Sequence, residues 1–125
     1  MGDALAEIDQ DNAAMFANDV AVILAEAGRR QQALARVEQN LHRFPDDMWT
    51  HIHAGDVHLA LADQPSAERS FRDAITVARW QGDVDGIADA NERLARLFAD
   101  QPGREPEAAA AEREPVPRVV NGLGL

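Results

Sequence analysis

The chain repeats itself at a spacing of 34 residues, and that spacing limits the fold more than any single motif does. Ala33 stands over Ala67, Val37 over Phe71 and Leu41 over Ile75. Earlier in the unit, Ala21 stands over Gly55 and Leu24 over His58. A fixed period of this length marks a supersecondary unit that stacks on its own copy, because one unit alone cannot bury its apolar face. Each copy reads as helix, short turn, helix. In the first, Gly28 separates "AAMFANDVAVILAEA" from "RRQQALARVEQNLHRF". In the second, "DQPS" makes the break, with Pro65 in the first turn of the following helix, where a missing N–H costs nothing. Pro45, Asp46 and Asp47 divide the copies, and Asp47 is placed to cap the helix that begins at Met48.

A helix–turn–helix unit of this length resembles the tetratricopeptide repeat family. That family's pattern has a small residue at the eighth position, Ala at the twentieth, a large apolar residue at the twenty-fourth, a small one at the twenty-seventh and Pro at the thirty-second. The second copy offers Gly55, Ala67, Phe71 and Ala74 in those places; the first offers Ala21, Ala33, Val37 and Pro45, with polar Asn40 as a departure. A third, imperfect copy starts within "GDVDGIADANERLARLF", where Leu94, Leu97 and Phe98 share one helix face. The resemblance implies an all-α fold of antiparallel helical hairpins stacked as a short right-handed superhelix. Residues 12–100 are expected to form this domain, after an acidic lead-in at 1–11. The Pro-, Gly-, Ala- and Glu-rich segment 101–125 is expected to be a mobile tail.

Composition excludes several chemistries. There is no cysteine, hence no disulfide, thiolate nucleophile or Cys-based metal centre. All 12 basic residues are arginine, which removes Schiff-base and phosphate-loop lysines. A net charge of -10 opposes binding to a nucleic-acid backbone, and Met1 to Gly28 contains six acids and no base. No apolar run approaches the roughly 18 residues of a membrane span. The N-terminus lacks the basic and apolar regions of a signal peptide, so a cytoplasmic location is expected.

The stretch "WTHIHAGDVHLAL" holds His51, His53, Asp56 and His58, which suggests a metal-dependent hydrolase as an alternative function. Helical geometry weakens that reading. His51 and His53 lie about 200° apart on a helix, and His51 and His58, although on one face, are roughly 10 Å apart along the axis. Only His53 and Asp56 have ligand spacing, and two ligands rarely make a working site. Packing histidines are the expectation, with no metal and no cofactor. The arginines Arg29, Arg30, Arg36 and Arg43 are expected to pair with Glu26, Glu38 or Asp46.

The resemblance implies a surface instead of a reaction centre. In such repeats the first helix of each unit lines a concave groove for an extended peptide. The corresponding positions here are Met15, Asn18, Val22, Ala25 and Glu26 in the first unit and Trp49, Ile52, Asp56, Leu59 and Ala60 in the second, with Asp89, Glu92 and Arg96 in the third. The family's chaperone-binding branch clamps a C-terminal carboxylate with lysines and asparagines, a specialisation that a lysine-free chain does not support. The expected role is a non-catalytic scaffold for a protein or peptide, with an apolar or basic segment favoured. Self-association as a structural module is a further alternative.

Overall fold

The computed structural model describes the backbone of residues 2–104, 106, 107 and 110, and the side chains of residues 12–104, 106, 107 and 110. Among the described residues five helices follow one another: α1 (Gly2–Glu26), α2 (Arg30–Arg43), α3 (Met48–Ala60), α4 (Gln64–Gln81) and α5 (Val84–Ala99). The described residues contain no strand, and the fold is all-α. α1 runs straight through the segment expected to be a lead-in.

The two hairpin turns are built alike. Gly28 ends α1 with a φ of 77°, and Ala62, 34 residues on, ends α3 with a φ of 62°. After α1, the N–H of Arg29 reaches the carbonyl of Leu24 and that of Gly28 the carbonyl of Ala25. After α3, Asp63 reaches His58 and Ala62 reaches Leu59. These are the paired bonds of a Schellman cap, which satisfy the last carbonyls of a helix by turning one residue left-handed. Gly82 repeats the device between α4 and α5, with a φ of 71°. The period therefore extends to individual backbone bonds, even where alanine stands in for glycine.

Helix starts are less uniform. The carboxylates of Asp63 and Asp83 accept from the N–H of Ser66 (3.2 Å) and Gly86 (2.9 Å), as N-cap residues do. Asp47 occupies the N-cap of α3, but its carboxylate accepts from the Thr50 hydroxyl at 2.7 Å and caps no backbone N–H.

α3 lies at the centre, packed against α1, α2 and α4. One side of it contributes Ala54 and Val57 to a cluster with Ala21, Ala25, Ala33 and Val37. The other contributes Met48 and Ile52 to a larger cluster with Ala67, Phe71, Ala74, Ile87, Leu94 and Phe98. The closest approach is at Gly55, where a Cβ would lie 2.3 Å from Cε1 of the fully buried Phe71 ring. In the first unit the matching positions hold Ala21 and Val37, a larger small residue and a smaller large one. Volume is traded across the contact, as close packing demands. Leu94, Leu97 and Phe98 are all buried in the larger cluster, on the face that periodicity indicated.

Past α5, the Arg104 guanidinium lies over the Phe98 ring, 4.2 Å from its centroid. It donates to Glu68 of α4 at 2.8 Å and to Glu107 at 2.9 Å, and this cation holds both carboxyls below their ordinary range. Residues 111–125 of the expected tail lie outside the described residues. The arginines of α2 make other contacts than those expected. Arg30 donates to the carbonyl of Leu61 at 3.1 Å, and Arg43 lies over the Phe44 ring. No ion pair joins the four to Glu26, Glu38 or Asp46 among the described residues, because these exposed side chains gain little by pairing in water.

The Gly55–Phe71 approach yields a prediction. Gly55→Ala gains up to about 1 kcal/mol of helix propensity but overpacks a fixed ring, at a cost of roughly 1–3 kcal/mol. A net loss on the order of 1–2 kcal/mol is expected in urea unfolding. Phe71→Leu in the same chain should recover part of it, making the double mutant less than additive.

Candidate functional site

α1 and α3 lie side by side, and a groove of roughly 560 Å³ opens between them. Met15, Asn18 and Asp19 of α1 form one wall; Trp49 and His53 of α3, with Asp47 before them, form the other. Three of these six, Met15, Asn18 and Trp49, are positions that the resemblance assigns to the groove. The sequence marks Asp47 only as a helix cap, His53 only as a packing histidine and Asp19 only as one acid of the N-terminal half, although helical spacing contained the signal: Asp19 is four residues after Met15, and His53 four after Trp49.

A short polar chain fixes the spacing of the two helices. The Asn18 amide donates to the Thr50 hydroxyl at 3.3 Å, and that hydroxyl donates to the Asp47 carboxylate at 2.7 Å. Behind it, the Asn40 amide donates to the carbonyl of Ala17 at 2.9 Å, which ties α2 to α1. Asn40 thus departs from the family pattern because its side chain holds a backbone group of the neighbouring helix. Asn18 is only 1% exposed, and its Oδ1 is buried with no hydrogen-bond partner. On the opposite wall Trp49 is 42% exposed, its ring 6.3 Å from that of His53. Met15 is 60% exposed.

The remaining expected positions are not brought into this groove. Ile52 is fully buried and shares the larger cluster with Ile87, Ala90 and Leu94 of α5. The position that the resemblance assigns to a ligand is spent here on core packing. Val22 is partly buried against the smaller cluster. Asp56 is ion-paired with Arg93 of α5, and Glu92 with Arg96 one turn on. Leu59 is exposed but away from the groove walls.

Each histidine of α3 has a separate local role. His51 Nε2 donates to the carbonyl of Pro45 at 2.9 Å, and His53 Nδ1 to that of Trp49 at 2.7 Å. His58 is half-buried with Nδ1 unpartnered; burial holds its pKa below the ordinary value, with Asp63 opposing and Arg69 and Arg30 reinforcing. Among the described residues no group of three or more His, Asp or Glu side chains is placed to hold a metal ion. No described helix is long and apolar enough to cross a membrane.

No family model, curated protein or solved structure matches the chain. The groove and its chemistry carry the functional argument.

His58 gives a prediction with a definite sign. Its folded-state pKa lies below 6.5, so the unfolded chain takes up the proton first as pH falls. The stability it permits is complete above about pH 6.5 and declines from there towards the lower folded-state value. His58→Leu, which restores the residue type of Leu24 in the first unit, removes both the proton uptake and the unpaired nitrogen. The variant should be more stable by roughly 1 kcal/mol at neutral pH, with a larger advantage at about pH 5.5 than at about pH 8 in thermal melts.

Proposed function

We propose that the chain is a non-catalytic, cytoplasmic scaffold that binds a peptide or an extended protein segment in the α1/α3 groove. The observation that carries this reading is the pairing of two exposed large apolar side chains, Met15 and Trp49, across a groove bounded by Asp19 and Asp47. Tryptophan is enriched where binding energy concentrates, and apolar side chains with acids beside them match the apolar centre and polar rim of an interface. A tetratricopeptide-like stack accounts for the location. In such a stack the first helices of successive units line the concave face, and α1 and α3 are those helices. The repeated turn bonds and the small-to-large contact at Gly55 and Phe71 support it.

The acidic walls favour a basic or apolar segment and disfavour nucleic acid. Self-association through α1 has exposed Phe16 and Ile23 in its favour. Two α1 helices side by side, however, would set acid against acid, since Met1 to Gly28 contains no basic residue. The hydrolase alternative has no supporting constellation among the described residues, where each α3 histidine is engaged or buried separately.

Peptides selected from a random library against the full chain should lose at least about tenfold in affinity to Trp49→Ala, as a groove hot spot requires. Calorimetry on the purified variants measures it. Selected binders that keep their affinity for both Trp49→Ala and Met15→Glu would remove the groove as the binding face.

A further inference from the structure

We propose that the α1/α3 groove is an arginine site, taking the guanidinium of an arginine carried by the bound segment. The inference rests on the reading of this groove as the binding face and specifies what it recognises.

Hydrogen-bond bookkeeping at Asn18 supplies the first argument. The Thr50 hydroxyl has one proton, and it is committed to the Asp47 carboxylate. Thr50 can therefore only accept from Asn18, which fixes the amide orientation with Nδ2 towards Thr50 and leaves Oδ1 over. Asn18 therefore lines the groove with its amide nitrogen turned to Thr50 and its oxygen buried, and it offers no donor to an anion there.

Charge supplies the second. Asp19 and Asp47 both line the groove, and neither has a cationic partner among the described residues. The groove thus offers two carboxylates, and no arginine among the described residues pairs with either. Trp49, 42% exposed, adds an indole on which a guanidinium would stack, and Met15 an apolar surface for the methylene stem. A planar fork of five donors meets several acceptors and a ring at once, where an ammonium is a compact, strongly hydrated charge. The polarity is the reverse of a carboxylate clamp. The Asn18 amide protons face Thr50, and two aspartates would repel a terminal carboxylate.

The test uses the full chain with Trp80→Phe, a change at an exposed α4 position that leaves Trp49 as the only tryptophan. Blocked peptides with a central Leu-Arg-Leu are titrated against the Trp49 fluorescence, alongside versions carrying lysine, citrulline or glutamate in place of arginine. The arginine peptide should bind roughly tenfold or more tightly than its citrulline isostere, which keeps the shape and loses the charge. It should also outbind the lysine peptide, and Asp19→Asn should erase most of the advantage over citrulline. Equal affinity for arginine and citrulline, or no binding of the arginine peptide up to millimolar concentration, would overturn the arginine site. In either case, library-selected peptides that still depend on Trp49 would leave the groove itself standing. Binders indifferent to Trp49→Ala and Met15→Glu would remove both.

Discussion

The structure depends on α3 being packed on two sides at once. A 13-residue helix with a single apolar stripe joins one layer. α3 instead sends Ala54 and Val57 into the core shared with α1 and α2, and Met48 and Ile52 into the core shared with α4 and α5. Gly55 makes this feasible, because only a residue without a side chain admits the Phe71 ring at that distance. α3 is therefore apolar all round, and its exposed positions fall at its two ends, Trp49 at the start and Leu59 and Ala60 at the finish. Trp49 and the partly exposed His53 form the α3 side of the groove.

The groove and the core are thus two consequences of one constraint. α1 contributes Ala21 and Ala25 to the core through one stretch and Met15 and Asp19 to the groove through the turn before it. Between them the Asn18–Thr50–Asp47 chain sets how far apart the two helices stand. A carboxylate at the α3 N-cap would ordinarily bind its own helix backbone. Here Asp47 is held by a hydroxyl, and it keeps its charge at the groove edge. Binding surfaces on rigid elements keep their geometry, which lowers the ordering cost when a segment docks.

Much of this was legible in the sequence, for identifiable reasons. The period located the hairpins because Ala33/Ala67 and Val37/Phe71 record the same packing twice. Helix periodicity placed Leu94, Leu97 and Phe98 correctly because α5 has one simple apolar face. Ile52 was misjudged as a surface position because a register argument knows the repeat but not its neighbour, and α5 contributes to the same core. Asp56 and Glu92 were read as groove acids, yet arginines distant or near in sequence neutralise them. Asp19 and Asp47 carried no groove signal, and Asp47 stood out only as a helix cap, because an isolated acid on a helix or in a turn says nothing of a groove until the opposite wall is known. Ala62 concealed its turn for the opposite reason: alanine seldom takes a left-handed φ, so the sequence pointed to the following "DQPS".

The central claim, that α3 joins both hairpins into one cooperative unit, is tested most directly by native-state hydrogen exchange under increasing urea. Amides of Ala33 and Val37 in α2 and of Ala74 and Ala78 in α4 should open with the same free energy and the same urea dependence, because neither half keeps its core without α3. If the α2 amides exchanged through an opening of clearly smaller urea dependence while the α4 amides stayed protected, the hairpins would be separate units and α3 would not be the shared support.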